Sequence, residues 1–259
     1  MSRTFSRTRR TLSQNFLVDA GAAQLIVRSS GVRRDDLIVE IGPGDGMLTR
    51  RLVSAGRRVL AYEKDPHYVR LLARRYADDN RIRLYHSDIR DVAPPRQPFA
   101  VVANVPFALT TDIVRWCLEA RHLTSATLVT QLEFARKHSG DYGRWSKLTV
   151  THWPWTAMAL GPRVDRVKFH PRPRVDAAVL HLNRRAAPLL PRTAAPEYRR
   201  LVELGFSGVG GSLAASLRRH YPAGAVRQAC ARAGVGLDLP VGYVSPDAWV
   251  DLFRALSRV

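Results

Sequence analysis

The chain has 259 residues, 46% of them hydrophobic and 24% charged, which is ordinary globular composition and excludes a protein that is disordered throughout. Its two cysteines, Cys117 and Cys230, exclude a disulfide scaffold, and no apolar run reaches the about 18 residues that a membrane-spanning helix needs. The basic N-terminus has no apolar segment of the kind found in secretory signals. We therefore expect a cytoplasmic protein without a membrane partner.

The net charge of +19 comes from 41 Lys and Arg against 22 Asp and Glu, and all but four of the basic residues are arginine. Codon bias is an alternative cause of the arginine excess, but it does not explain the scarcity of acids. A charge of this size is expected of a protein that contacts a polyanion. Guanidinium groups pair with phosphate oxygens and stack on bases, which favours RNA as the partner.

Helix and strand patterns alternate along the first half of the chain. Asp19 is predicted to cap the first helix, and Asp65 followed by Pro66 to open the third. The predicted elements are helix 20–29, strand 37–41, helix 47–54, strand 58–62, helix 66–77, strands 82–85 and 99–103, helix 111–120 and strand 126–131. This alternation predicts an α/β fold with a parallel sheet and with ligands at the carboxyl ends of the strands.

The composition changes after Tyr142 to extended segments rich in Trp and Pro, which end in a strand over 176–182. Four short helices are predicted near the C-terminus, over 197–206, 212–221, 225–233 and 246–257. We therefore predict four parts: a flexible basic arm (1–13), a first domain (14–182), a linker rich in Pro and Ala (183–196) and a small helical domain (197–259).

The segment 40–46, with sequence EIGPGDG, lies between a predicted strand and a predicted helix. Glycines let a backbone approach a ligand, and the N-terminus of the helix offers free N–H groups. The spacing G-x-G-x-G differs from the G-x-G-x-x-G of dinucleotide-binding proteins, which argues against a nicotinamide oxidoreductase. It resembles the S-adenosylmethionine loop of class I methyltransferases, with a structural glycine turn as the alternative.

Two further acids follow the next two predicted strands. Glu63 comes 21 residues after Gly42, where a carboxylate can accept hydrogen bonds from both ribose hydroxyls of an adenosyl group. Asp88 stands where the acid of that methyltransferase class accepts a hydrogen bond from the adenine amino group, and Ile89 where a side chain packs on the ring. A surface acid or a turn cap is the alternative for each acid alone.

The fourth predicted strand ends in Asn104-Val105-Pro106-Phe107. The exocyclic nitrogen of adenine is a poor nucleophile because its lone pair is delocalised into the ring. An amide oxygen from Asn104 and the carbonyl of Val105 could accept hydrogen bonds from that nitrogen and hold it in line with a methyl donor. The ring of Phe107 could stack on a base turned out of its helix.

Taken together, these segments are similar to the rRNA adenine N(6)-methyltransferases, the family of the Erm and KsgA-type enzymes. The resemblance covers about residues 11–182 and rests on 13–17 (SQNFL), 40–46, 62–65 (YEKD), 87–89 (SDI), 104–107 (NVPF) and 169–176 (FHPRPRVD). It implies a class I methyltransferase fold, Rossmann-like, with a mostly parallel seven-stranded sheet and a small α-helical C-terminal domain.

The resemblance also implies a cofactor and a set of site residues. The cofactor is S-adenosylmethionine, leaving S-adenosylhomocysteine as product, and no metal is expected. The implied cofactor contacts are Asn15, Leu17, Gly42, Gly44, Glu63, Asp88, Ile89 and Asn104. Asn104, Val105 and Phe107 would hold the target base, with Phe169 as a second aromatic wall.

Within the family, the segments QNFL and NVPF and the glycine-rich stretch 205–213 favour the actinobacterial Erm branch. This branch methylates one adenine in the peptidyl-transferase loop of 23S rRNA and confers resistance to macrolides, lincosamides and streptogramin B. We expect a monomer that acts on rRNA before the subunit is fully assembled. The alternatives are a KsgA-type dimethyltransferase of two adjacent adenines in small-subunit rRNA, and a non-catalytic rRNA-binding or transcription factor on the same fold.

The RNA phosphates are expected to follow basic residues on either side of the proposed site. These are Arg3, Arg7, Arg9 and Arg10 in the arm and Arg163, Arg166, Lys168, Arg172 and Arg174 before the last predicted strand. Elsewhere, Trp145, Trp153 and Trp155 are interpreted as core at a strand edge, Cys117 as a buried apolar residue, and His138 and His152 as surface residues.

Overall fold

A computed structural model of the chain describes residues 15–55, 58–208 and 211–257. The arm predicted over 1–13 lies outside these ranges, as do its four arginines. The described chain divides into two compact units. The first comprises residues up to 135 together with 160–183, and the second comprises 136–159 together with the residues from 184 onward.

The first unit is built on a seven-stranded sheet, and a short strand β1 (Phe16–Leu17) precedes it. The sheet contains β2 (Leu37–Ile41), β3 (Arg58–Glu63), β4 (Ile82–His86), β5 (Phe99–Asn104), β6 (Leu123–Gln131), β7 (Thr156–Val164) and β9 (Ala177–Arg184). Strand β8 (Phe169–His170) pairs antiparallel with β1. The spatial order is β4-β3-β2-β5-β6-β9-β7. The first five strands in this spatial order, from β4 to β6, are mutually parallel, and β9 is antiparallel to β6. This arrangement confirms the predicted α/β fold.

The order of the strands explains where a ligand can bind. The chain runs outward from β2 to β3 and β4, and then returns to β5 on the other side of β2. Loops that follow β2 and β5 therefore diverge at the carboxyl edge of the sheet and leave a crevice, which is where α/β proteins bind ligands. The glycine loop and the NVPF segment are those two loops.

Helices α1 (Ala20–Ser29), α2 (Met47–Ser54), α3 (Pro66–Arg75) and α4 (Thr110–Glu119) belong to the same unit. Asp19 caps α1, because its Oδ1 accepts a hydrogen bond from the N–H of Ala22 at 2.7 Å. Asp65 caps α3 in the same way through the N–H of His67 at 2.8 Å. Both predicted caps are thereby confirmed, and the short-range signals in the sequence account for where these helices begin.

The second unit is helical. Its helices are α6 (Lys147–His152), α7 (Ala195–Gly205), α8 (Leu213–Leu217), α9 (Ala223–Arg232) and α10 (Pro246–Leu256), and α5 (Leu132–Ser139) leads into it from the first unit. Gly205 permits close packing of α7 against α10, since a Cβ there would come within 2.2 Å of the Trp249 ring. The four predicted C-terminal helices are present, with α8 shorter than predicted.

The second unit also contains residues 136–159, which the sequence assigns to the first domain. The reason is packing between residues far apart in the chain. The Tyr198 hydroxyl donates to the carbonyl of Val150 at 3.0 Å, and the indole N–H of Trp155 donates to the carbonyl of Leu190 at 3.0 Å. These hydrogen bonds tie the segment around α6 to the C-terminal helices, so the boundary differs from the predicted one.

The tryptophans and histidines of residues 136–159 follow this regrouping. Trp155 belongs to the hydrophobic core of the helical unit, and Trp145 and Trp153 are partly buried against that core. The surface interpretation of His138 is wrong, because its side chain is buried and a ring nitrogen lies 2.8 Å from the Ser146 hydroxyl. Burial lowers the pKa values of both His138 and His152 to about 4. Cys117 is fully buried, as predicted.

Candidate cofactor and base site

The loop between β2 and α2 passes through three glycines of positive φ, Gly42 (65°), Gly44 (56°) and Gly46 (89°). Other residues rarely adopt this conformation. A Cβ on Gly44 would also come within 2.8 Å of the Phe16 ring. At the end of the loop, a guanidinium N–H of Arg75 donates to the carbonyl of Asp45 at 2.6 Å. The loop backbone is therefore held in one shape at the carboxyl end of β2.

Glu63, the last residue of β3, joins that strand to the glycine loop. Its carboxylate is 2% exposed and accepts hydrogen bonds from the N–H of Gly44 at 3.0 Å and the N–H of Asp65 at 2.8 Å. Burial raises the pKa of Glu63, and the two N–H donors partly offset this effect. Each carboxylate oxygen keeps further acceptor capacity, so Glu63 can still receive the hydroxyls of a ribose.

Asp88 follows β4 and caps the turn Ile89–Asp91, since its Oδ1 accepts a hydrogen bond from the N–H of Arg90 at 3.1 Å. Its Oδ2 lies 2.6 Å from the guanidinium of Arg90 and 2.9 Å from the ammonium of Lys64. The hydrogen bond from the Arg90 side chain is the main reason why the pKa of Asp88 lies well below its usual range. Asp88 is thus a fixed, ionised acceptor, and an incoming amino group would share it with two cations.

Asn104 ends β5, and its amide N–H donates to the carbonyl of Asn15 at 2.8 Å. This hydrogen bond orients the amide and leaves Oδ1 as an acceptor. Val105 donates its N–H to the carbonyl of Val129 at 3.1 Å, and its own carbonyl accepts no hydrogen bond within the described ranges. Two acceptors that suit an amino group therefore follow each other at the end of this strand.

The two predicted aromatic walls differ in placement. Phe107 is half-buried against the core and opens the turn Phe107–Leu109, where the Thr110 hydroxyl donates to the carbonyl of Phe107 at 3.0 Å. Phe169 is 3% exposed and belongs to the core. Its ring is therefore almost covered by the protein, and its part as a second wall stays a prediction. Leu17, opposite Phe169 in the β1–β8 pair, is equally buried, so any cofactor contact from Leu17 must come from its main chain.

The remaining predicted residues line two small pockets that both include Gly42 and Pro106. One pocket is lined by Asn15, Gly44, Asn104 and Val105, and the other by Glu63, Asp88 and Ile89. Sequence reasoning missed the role of Lys64 and Arg90, which flank Asp88. A lysine directly after the acid that ends β3 was the available signal, but its distance from Asp88 could not be read from the chain.

Of the predicted basic residues that the structure describes, three are engaged within the protein. Arg163 pairs with Asp176, the Arg166 guanidinium donates to a backbone carbonyl at 3.0 Å, and Lys168 lies 2.7 Å from Asp19. The side chains of Arg172 and Arg174 are exposed and form no ion pair within the described part of the chain. Among the predicted basic residues that the structure describes, these two are therefore available to a phosphate.

Glu40, in the middle of the sheet on β2, has an unusual environment. Its side chain is 1% exposed, and neither carboxylate oxygen has a hydrogen-bond partner among the described residues. Burial raises the pKa of Glu40 to about 8, and repulsion from Glu63 contributes to the rise. In the unfolded chain the same carboxyl has a pKa near its ordinary value of 4.5. Folding therefore favours the protonated form of Glu40 at neutral pH.

A pH-dependent stability follows from Glu40. Between about pH 5 and pH 8 the folded chain holds a proton that the unfolded chain has lost, so this group makes stability fall as pH rises, by up to about 1.4 kcal/mol per pH unit. The stability of the Glu40→Gln variant, measured by urea unfolding, is expected to fall less steeply with pH over this range. The exposed replacement Glu119→Gln is the control. Equal slopes for wild type and Glu40→Gln would show that Glu40 does not titrate there.

Within the ranges described, no helix is long and apolar enough to cross a membrane, and no group of three or more His, Cys, Asp and Glu side chains could hold a metal ion.

Comparison with known proteins gives a family match and close relatives. A family model described as ribosomal RNA adenine dimethylase matches residues 5–258. The rRNA adenine N-6-methyltransferase of Streptomyces fradiae is 46% identical over 255 residues, which are 98% of this chain and 80% of the relative. The crystal structure of the 23S rRNA methyltransferase ErmE is 45% identical with a TM-score of 0.89, over 94% of this chain and 100% of that chain. The ribosomal RNA small subunit methyltransferase A of Lactobacillus delbrueckii subsp. bulgaricus is 33% identical over 243 residues, 86% of this chain and 81% of the relative.

Proposed function

Because the chain belongs to the ribosomal RNA adenine dimethylase family, we propose that it methylates the N6 nitrogen of one adenine in the peptidyl-transferase loop of 23S rRNA. The observation that carries the proposal is the orientation of Asn104, whose amide N–H is bound to Asn15 while Oδ1 can accept from the target amino group. Methylation removes donors and adds bulk where macrolides, lincosamides and streptogramin B bind. The expected result in the cell is resistance to these drugs.

The residues present fit S-adenosylmethionine. Ribose hydroxyls and an adenine amino group are donors, and Glu63 and Asp88 are buried or fixed acceptors beside a glycine loop held open by its backbone conformation. Gly42 and Gly44 would face the ligand through their backbone, and Ile89 would pack on its adenine. When bound, the cofactor supplies a methyl group on a positively charged sulfur.

The protein's part in the reaction is to hold the target base. Asn104 Oδ1 and the Val105 carbonyl accept from the amino group and favour the geometry in which its lone pair is available. The acceptors are fixed before the base arrives, since one hydrogen bond orients Asn104 and another anchors Val105 to β6. Preorganised dipoles and positioning of this kind supply most of the rate. Phe107 stacks on the base from one side.

The choice of 23S rRNA follows the relatives, since the solved 23S enzyme is 45% identical and the small-subunit enzyme is 33% identical. We further propose a cytoplasmic monomer that acts before the subunit is fully assembled. The test is incubation with labelled S-adenosylmethionine and purified 23S or 16S rRNA, followed by primer extension. Label on one 23S adenine is expected. Label on two adjacent 16S adenines would support the KsgA-type alternative, and no label on either RNA would support the non-catalytic one.

Substitutions of Phe107 test base stacking. Tyrosine or tryptophan keeps a π-face and should retain activity, whereas alanine should lose about 1–3 kcal/mol of stacking. The comparison is single-turnover methylation by the Tyr, Trp and Ala variants, with melting temperatures as the control because Phe107 also packs against the core. Equal rates for the Ala and Tyr variants would place the base elsewhere.

Charge reversal of Arg172 and Arg174 tests the RNA path. Both side chains are exposed, and each neutralised phosphate contributes a little under one unit (about 0.9) to the slope of log affinity against log salt. The double variant to glutamate should bind RNA more weakly and with a flatter slope, while its affinity for S-adenosylmethionine stays unchanged. The matched control is the same change at Arg33 and Arg34, which are also exposed. Equal RNA affinity for the two double variants would contradict this path.

A further inference from the structure

The helical unit contains a cavity that the proposed site does not use. It has a volume of about 360 Å³, and the described residues that line it all belong to this unit. One side is a face of α7, another is the turn after α8, and the third is the last part of α10. Sites for small ligands have volumes of about 300–1,000 Å³. The volume of the cavity therefore suits one planar ring with its sugar.

The floor of the cavity is apolar and its wall is aromatic. Leu201, Phe253 and Leu256 are 1%, 8% and 6% exposed and form the floor. Tyr221 is half-buried, and its N–H donates to the carbonyl of Leu217 at 3.0 Å, which fixes the turn that carries it. An aromatic ring beside an apolar floor is a surface on which a nucleobase can stack.

The rim carries charge of a kind that suits RNA. Arg200 and His220 line the opening, and Arg218 and Arg219 precede His220 in the chain, all four with exposed side chains. The three arginines form no ion pair within the described part of the chain, so their guanidinium groups are available to phosphates.

Glu197 is the one acid among the residues that line the cavity, and it too has no ion pair within the described ranges. A carboxylate repels a phosphate but accepts hydrogen bonds from the amino group of a base. The charges around the opening therefore favour a base inside the cavity, with its backbone outside along the arginines.

We propose that this cavity holds one unpaired nucleobase of the rRNA, stacked on Tyr221, with an amino group on Glu197 and the flanking phosphates on Arg200, Arg218 and Arg219. The base must be unpaired, since both faces of a base within a helix are covered by its neighbours. This inference rests on the proposed function, because it takes the same RNA as ligand. It adds a second point of attachment, which would help to select a substrate by the position of its unpaired nucleotides.

The test uses the full chain and an RNA fragment containing the peptidyl-transferase loop of 23S rRNA. Tyr221→Ala should weaken binding about 5- to 150-fold, the range expected for loss of one base stack, whereas Tyr221→Phe should bind as wild type does. Reversing Arg200 and Arg219 to glutamate should flatten the salt slope by nearly two units, about 0.9 for each lost phosphate contact. The matched control is the same reversal at Arg227 and Arg232, exposed residues of α9 away from the cavity. Should Tyr221→Ala fail to fold, the arginine reversals still decide the question.

Methyl transfer is measured in parallel to separate the two proposals. If the wild type does not methylate 23S rRNA, the proposed function fails, whatever the cavity binds. If it does, the cavity variants should raise the KM for RNA and leave kcat and the affinity for S-adenosylmethionine unchanged. Wild-type RNA affinity in both Tyr221→Ala and the Arg200/Arg219 variant would overturn the inference. So would variants that bind naked RNA normally but ribosomal particles weakly, because the occupant would then be a ribosomal protein.

Discussion

Replacing Asn104 with alanine is expected to lower the rate of methyl transfer about 100-fold or more, the usual cost of losing a preorganised polar contact in the transition state. The amide accepts from the target amino group in the proposed mechanism and is itself held by the carbonyl of Asn15. The measurement is a single-turnover assay with labelled S-adenosylmethionine and saturating 23S rRNA. Full methylation by the Ala variant would remove Asn104 from the mechanism.

A second substitution at Asn104 separates the role of its N–H, which orients the side chain, from the role of its oxygen, which accepts a hydrogen bond from the target amino group. Asn104→Asp keeps an oxygen for the target amino group but replaces the N–H that donates to Asn15 with another oxygen. Two oxygens would then face each other at hydrogen-bond distance, so the side chain should rotate and the rate should fall to near that of the Ala variant. Asn183→Ala, at an exposed position of β9, is the control and should keep the wild-type rate.

Replacing Glu63 with glutamine is expected to weaken the binding of S-adenosylmethionine by about 1.5–3 kcal/mol, the range for loss of a hydrogen bond to a charged group. The structure adds a second effect. The carboxylate accepts from the N–H groups of Gly44 and Asp65, and a glutamine amide can accept from only one of them. The glycine loop should therefore loosen, and the free protein should melt at a lower temperature. Calorimetry with S-adenosylmethionine and thermal unfolding without it measure the two effects separately.

Glu119→Gln makes the same change at an exposed position and should affect neither measurement. The RNA affinity of Glu63→Gln should also stay near that of the wild type, because Glu63 faces the cofactor pocket. Since burial raises the pKa of Glu63, mild acid should weaken cofactor binding at a higher pH than it would for an exposed carboxylate. An unchanged dissociation constant for Glu63→Gln would mean that the ribose lies elsewhere.

Much of this protein could be read from local patterns in its chain. The parallel sheet, the alternation of its strands with helices along the chain, and the caps at Asp19 and Asp65 follow from hydrophobic period and from residues within a few positions of each other. The family resemblance could be read from the sequence for the same reason, because its motifs are short and stand where strands end, and the comparisons with known proteins confirm it. The strand ends then bring Gly42, Glu63 and Asp88 to one edge of the sheet.

The tertiary structure decided what depends on contacts between distant residues. Phe169 looks like an available ring in the sequence, but pairing of β8 with β1 buries it beside Leu17. Lys168 forms an ion pair with Asp19, which lies 149 positions away in the chain. One residue predicted to contact a phosphate is therefore engaged within the protein. The boundary between the units moved because hydrogen bonds to Val150 and Leu190 draw residues 136–159 into the helical core.

The same distinction holds at the proposed catalytic residue. The sequence identifies Asn104 by its place after a strand, but its orientation depends on a hydrogen bond to Asn15, 89 positions earlier. Local patterns determine which residues stand at the edge of the sheet, because backbone periodicity is a short-range property. Which of their atoms remain available to a ligand depends on partners that only folding brings within hydrogen-bond distance.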